Sequence, residues 1–129
     1  MAESGHTVAD EDAQRLRATL AAAQSGDLAR AAALADAALE DGLVDPLYFK
    51  LRAVQHERSG RLDEAIRDFQ SALAFFPDDH AALSALGLCL ARAGRVQEAL
   101  TALNRSVALQ PGYAPAHCNL GWTFEVAGA

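Results

Sequence analysis

A 34-residue spacing, repeated along the chain, limits what this sequence can fold into. The segment Ser59–Ile66 reads SGRLDEAI, the segment 34 residues later (Ala93–Leu100) reads AGRVQEAL, and the segment 34 residues earlier (Ser25–Ala32) reads SGDLARAA. Gly26, Gly60, Gly94 and Gly128 keep the same spacing. A fixed period of this length, without insertions, is typical of stacked structural units, so the sequence predicts a repeat architecture.

The unit 80–113 shows what is repeated. Apolar residues recur in its first half at helical spacing, and Asp78 or Asp79 is placed to cap the start of a helix. Gly94 favours the left-handed turn that ends this helix. A second amphipathic pattern follows, and Pro111 stops it. Each unit is therefore predicted to be a helix, a tight turn and a second helix.

Small residues are placed where the two helices of a unit should cross. In the unit just described these are Gly87 and Ala99, which allow the backbones to approach closely. A single helix pair of this size cannot bury both of its faces, whereas stacked pairs can. The strict spacing is thus explained by packing between successive units.

At these positions the sequence resembles the tetratricopeptide repeat family. The resemblance is carried by LGLCLARAGRVQEALTALNRSVALQP in the third unit and by ERSGRLDEAIRDFQSALAFFP in the second. It covers 12–129 and implies an all-α fold, a right-handed α–α superhelix (solenoid) of antiparallel helix pairs. The first unit departs from the family pattern at two positions. Arg15 stands where the family favours an aromatic or other large residue, and Thr19 stands where it favours glycine.

The repeat register divides the chain into segments. The expected units are 12–45, 46–79 and 80–113, with half a unit at 114–129. Residues 1–11 fall outside the pattern and are small, polar and acidic, so we expect a disordered N-terminal tail there.

The family resemblance implies a concave groove, lined by the first helix of each unit, that binds a peptide or protein segment. Residues four apart share one helix face, which gives Leu16, Leu20 and Gln24 in the first unit and continues through the later ones. The predicted groove residues of the later units are Lys50, Val54, Arg58, Ser84, Leu88, Arg92, Cys118 and Trp122.

The predicted groove has an apolar middle and two arginines, Arg58 and Arg92, one repeat apart. Guanidinium groups suit carboxylates, so an acidic and apolar partner segment is expected. Two structural explanations stay open at this stage. The arginines lie in the last turns of their helices, where cations are favoured in any case. Trp122 is either a binding anchor or a residue that packs against Leu88 or a neighbouring helix.

The last predicted helix carries more apolar side chains than the earlier helices can cover. Leu120, Phe124 and Val126 are expected to form an open C-terminal face. Three interpretations are open: the sequence is a fragment of a longer chain, the helix caps a complete chain, or the face pairs with a second copy in a homodimer.

Residues with the spacing of a catalytic or metal site are not found. The four histidines lack ligand spacing, and Cys-x-x-Cys, His-Glu-x-x-His and glycine-rich phosphate loops are absent. We therefore expect no enzyme activity, no metal and no cofactor. The net charge of −6 argues against a nucleic-acid partner, and the sequence has no apolar stretch long enough for a membrane span and no signal peptide.

The sequence therefore predicts a cytoplasmic protein–protein interaction module or scaffold. Arginine supplies all cations except Lys50, which favours a bacterial source. One alternative is the N-terminal repeat domain of a longer bacterial enzyme, such as a transferase or oxygenase. Another is a scaffold that associates with itself through the C-terminal helix. The two cysteines fit a reducing compartment.

Overall fold

The computed structural model describes residues 7–128, and these form seven α-helices joined by short turns. The helices are α1 (Val8–Gln24), α2 (Leu28–Glu40), α3 (Pro46–Arg58), α4 (Leu62–Phe75), α5 (His80–Arg92), α6 (Val96–Leu109) and α7 (Ala114–Val126). Each helix packs against the next, and α5 also contacts α7. The predicted all-α solenoid of helix pairs is confirmed.

The turn inside each helix pair is set by a glycine in the left-handed region. Gly94, between α5 and α6, has φ of +84°, which an L side chain rarely adopts. The following Arg95 N–H donates to the Leu90 carbonyl at 2.8 Å, so the last turn of α5 is closed by backbone hydrogen bonds. Gly26 and Gly60 occupy the equivalent turns with similar angles.

The main core lies between α3, α4, α5 and α6 and is rich in small residues. Ala53, Ala65 and Ala99 are completely buried at the helix crossings. Larger side chains fill the remaining space, and burying each contributes about 1.5–3 kcal/mol. These larger residues include Ile66, Phe69, Leu83, Leu86 and Leu90.

A partly buried ion pair joins α3 to α4. The Arg52 guanidinium donates two hydrogen bonds to the Asp68 carboxylate, at 2.8 and 2.9 Å, and Asp68 is only 5% exposed. The His56 ring nitrogen Nε2 lies 3.5 Å from the same carboxylate. This bidentate geometry fixes how the two helices of the second unit cross.

The N-terminal boundary differs from the sequence prediction. Residues 8–11, assigned above to a disordered tail, form the first turn of α1. The Thr7 hydroxyl accepts a hydrogen bond from the Asp10 N–H at 3.1 Å, and the Asp10 carboxylate accepts one from the Thr7 N–H at 3.2 Å. This capping box starts the helix before the repeat register begins. Residues 1–6 of the predicted tail lie outside the described residues.

Candidate protein-binding surface

The predicted groove draws its residues from α1, α3, α5 and α7, where they are spaced four residues apart along each helix. Along its middle, Leu20 is 43% exposed and Trp122 is 39% exposed, whereas Val54 and Leu88 are half-buried. We refer to these four residues as the apolar strip. The two end residues are therefore more exposed than the two central ones, and the strip presents apolar side chains mainly at its ends.

Lys50 joins the first helices of two successive units. Its ammonium Nζ lies 3.0 Å from Oδ2 of Asp79, the residue that caps the start of α5. Burial alone would raise the pKa of Asp79, but hydrogen bonds from the Ala82 N–H and from Lys50 hold that pKa below its ordinary value. Lys50 therefore stabilises the contact between α3 and α5, with its charge already paired.

The two arginines of the predicted groove differ in whether a carboxylate neutralises them. Arg92 forms an ion pair with Glu57, a residue of the last turn of α3, so its charge is largely compensated. Arg58 is exposed, and within 7–128 no carboxylate forms an ion pair with it. The sequence prediction missed this difference because it compared positions 34 residues apart, whereas Glu57 and Arg92 are 35 apart.

Ser84 does not line an accessible surface, so this part of the site prediction was wrong. Helix α7 packs over Ser84, which is only 2% exposed. The Asn119 side-chain amide donates to the Ser84 hydroxyl at 3.0 Å and to its carbonyl at 3.2 Å. Neighbouring Cys118 is exposed.

Helix α7 buries polar and small residues and leaves large apolar ones in solvent. Thr123 is fully buried, and its hydroxyl donates to the Asn119 carbonyl at 2.6 Å. Phe124 and Val126 are 51% and 47% exposed, whereas Leu120 is half-buried. The predicted face is thus smaller than expected on the side of Leu120.

Sequence reasoning missed Tyr48, the largest fully buried side chain. Its neighbour Phe49 is half-buried and stacks on Phe75 with ring centroids 6.3 Å apart. The equivalent positions of the next two units carry Ala82 and Ala116. No repeated signal therefore marked an aromatic residue at this position.

The groups available for chemistry are few. Within 7–128, no three or more His, Cys, Asp and Glu side chains cluster in a way that could hold a metal ion. Burial raises the pKa of the Cys89 thiol to about 11, so this thiol stays protonated at neutral pH.

None of the helices described here has the length and apolar character needed to cross a membrane.

Comparisons with known proteins agree with this architecture. The chain is 40% identical over 58 residues to the peroxisomal targeting signal receptor of Eremothecium gossypii. The matched segment covers 45% of this chain and 10% of the receptor. The chain therefore spans about a tenth of the length of that curated relative.

Solved structures show the same fold. YrrB, described as a repeat protein with an unusual peptide-binding site, superposes with a TM-score of 0.75 at 22% identity, over 91% of this chain and 60% of YrrB. The repeat domain of Sgt2 from Aspergillus fumigatus gives a TM-score of 0.70 at 22% identity, over 89% of this chain and 78% of that domain. At this level of identity the likeness establishes the fold alone.

The family itself is established from the sequence. A tetratricopeptide repeat family model matches residues 50–114, which is half of the chain. The matched region includes α4, α5 and α6 together with most of α3, and its helix pairs follow the 34-residue register. This chain belongs to the tetratricopeptide repeat family.

Proposed function

We propose that this protein binds a segment of another protein along the apolar strip of Leu20, Val54, Leu88 and Trp122. The observation that carries the proposal is the exposure of Leu20 and Trp122, which lie on α1 and α7, the two end helices of the apolar strip. A large aromatic side chain that is part-exposed on such a face is a typical anchor for a protein partner. The relatives support this class of function, since one is a targeting-signal receptor and another has a peptide-binding site.

Arg58 gives the proposed partner its polar character. It lies one helical turn beyond Val54, is exposed, and has no ion-pair partner within the described part of the chain. A guanidinium group in this position can pair with one carboxylate of the bound segment. Because Arg92 already pairs with Glu57, the preference for acidic segments depends on Arg58 rather than on both arginines.

A selection of random peptides displayed on phage tests this function. Peptides captured by the wild-type protein are synthesised, and their affinities are measured by calorimetry for the wild type and for the Arg58→Glu and Trp122→Ala variants. We expect both substitutions to weaken binding, Trp122→Ala by at least about tenfold, because truncating an aromatic anchor costs more than about 1.4 kcal/mol.

Matched substitutions outside the strip control for charge and for exposed aromatic area. Arg67→Glu changes the charge by the same amount on α4, and Phe76→Ala removes a 63% exposed ring at the α4–α5 loop. Both controls should bind the selected peptides like the wild type. If the controls lose affinity while the strip variants keep it, the binding surface lies elsewhere.

A second candidate function is self-association through α7, and the exposure of Phe124 and Val126 favours it. A second copy would cover these side chains. Analytical ultracentrifugation of the wild type and of Phe124→Asp tests it. A wild-type dimer that becomes a monomer in the variant supports self-association, and a wild-type monomer, or a dimer unchanged by the substitution, rejects it.

A further inference from the structure

Two capping aspartates at equivalent repeat positions, Asp79 and Asp45, differ in whether a cation neutralises them. Asp79 caps α5, and Lys50, on the preceding first helix, neutralises it at 3.0 Å. Thirty-four residues earlier, Asp45 caps α3, accepting from the Leu47 N–H at 2.9 Å. The position equivalent to Lys50 is there Leu16, which has no charge. Asp45 therefore lacks the cation that its counterpart possesses.

A cavity of about 360 Å³ lies beside Asp45, between the start of α1 and the α2–α3 loop. Its walls combine carboxylates with aliphatic side chains. Within the described residues, neither Asp12 nor Asp45 is in an ion pair, and Arg15, on the same helix as Asp12, is paired with Asp41 at 2.8 Å. The lining includes Asp12, Leu16, Leu43, Val44, Asp45 and Tyr48.

Tyr48 gives an independent indication that this cavity takes a ligand. The side chain lines the cavity and is only 2% exposed, yet its hydroxyl oxygen has no hydrogen-bond partner of good geometry within 7–128. Burial raises the pKa of this hydroxyl and the charges of Asp45 and Asp12 add to the rise, whereas the neighbouring Thr19 hydroxyl and the charge of Arg15 act in the opposite direction. A buried hydroxyl without a partner is costly, and a donor entering the cavity would satisfy it.

We propose that this cavity is a lysine-accepting subsite, in which a lysine side chain of the bound protein segment takes the place that Lys50 takes one repeat later. Its ammonium would donate to Asp45 and Asp12, and its aliphatic stem would pack against Leu16, Leu43 and Val44. The assignment of the lysine to a bound segment rests on the proposed function, whereas the cation preference of the cavity does not depend on it.

The cavity can be tested without any peptide, with n-butylammonium chloride as a probe for the lysine side chain. The ¹⁵N-labelled protein is titrated while amide shifts are followed by NMR, in parallel with n-butanol and with sodium chloride at equal ionic strength. We expect saturable shifts at Leu16, Asp45 and Tyr48 with n-butylammonium alone. Equal shifts with n-butanol, or shifts that sodium chloride reproduces, would overturn the proposal.

Two substitutions make this test specific. Asp45→Asn keeps a good helix cap while removing the charge, and it should weaken n-butylammonium binding about tenfold. Leu16→Lys supplies the missing internal cation and should abolish the response, while the matched neutral variant Leu16→Gln retains it. Circular dichroism verifies that each variant is folded. Unchanged binding to Asp45→Asn, or an undiminished response of Leu16→Lys, would contradict the proposal.

The peptide selection described above extends the test to the partner. Peptides selected by the wild type should be enriched in lysine at one position, and the enrichment should disappear with Asp45→Asn while binding to the apolar strip persists. If n-butylammonium binds but the peptides show no lysine preference, the cavity accepts a cation that the bound segment does not supply, and the assignment of its occupant is wrong. Failure of the peptide selection alone counts against the proposed function and leaves the cavity result standing.

Discussion

Gly87 on α5 lies directly against Leu103 on α6. A Cβ atom added at Gly87 would come within 2.5 Å of Leu103 Cγ, and Leu103 is itself completely buried. The glycine of the third unit is therefore required by the close approach of its two helices. Gly121 is the equivalent residue on α7, and a Cβ there would meet nothing within 4 Å.

Substituting alanine at these two equivalent glycines should have opposite effects. Gly87→Ala forces Leu103 to move within a filled core, so we expect a loss of about 1–3 kcal/mol in the free energy of unfolding. Gly121→Ala gains helix propensity without a clash and should stabilise by about 0.5–1 kcal/mol. Urea denaturation measures both, and equal effects of the two substitutions would contradict the packing described for α5 and α6.

The pair of Arg52 with the buried Asp68 should contribute more to stability than exposed ion pairs do. Arg52→Ala leaves a carboxylate that is 5% exposed without its bidentate donor, and we expect a loss of about 2–3 kcal/mol in unfolding free energy. Arg105→Ala breaks an exposed pair with Asp78 and should cost less than about 1 kcal/mol. Similar small losses for both variants would show that burial does not strengthen the first pair.

The two cysteines should differ sharply in reactivity. Cys89 is 1% exposed and burial raises its pKa to about 11, whereas Cys118 is exposed. Since the thiolate is the reactive form, a disulfide reagent at pH 8 should label one thiol rapidly in the native protein and both in urea. In Cys118→Ser the native protein should be almost unreactive, and rapid labelling of that variant would contradict the burial of Cys89.

Asp79 should make stability depend on pH in the acidic range. Its folded-state pKa is lowered, so its ionised form contributes stability that is present above the unfolded-state pKa and lost as the pH falls through the folded value. Asp79→Asn keeps the cap but loses the ion pair with Lys50. We expect it to be less stable than the wild type by about 1 kcal/mol at pH 7, with the difference shrinking below pH 4. A difference that stays constant with pH would contradict this assignment.

Features of the sequence that act locally were predicted well. The turn glycines, the Asp79 cap and the apolar helix faces each depend on a few neighbouring residues, and their repetition reinforced the signal. The Thr7 capping box is equally local, but it lies outside the repeat register, and the register placed the boundary at residue 12.

Contacts between units could not be predicted from the repeat. The pairs Arg92–Glu57 and Asn119–Ser84 both join residues 35 apart, and they form only when neighbouring first helices take up their relative positions. The repeat comparison aligned equivalent residues, so it grouped Ser84 with the half-buried Lys50 and the exposed Cys118. It had no means of showing that α7 would cover Ser84.

Trp122 provides the most direct measurement of the central claim, because it is the single tryptophan of the sequence and lies on the apolar strip. Its fluorescence emission is followed while a peptide selected by the wild-type protein is added. The account predicts a saturable blue shift, with the same dissociation constant that calorimetry gives, as the 39% exposed ring becomes covered. Peptide binding seen by calorimetry with no change in Trp122 emission would place the partner on another surface and contradict the account.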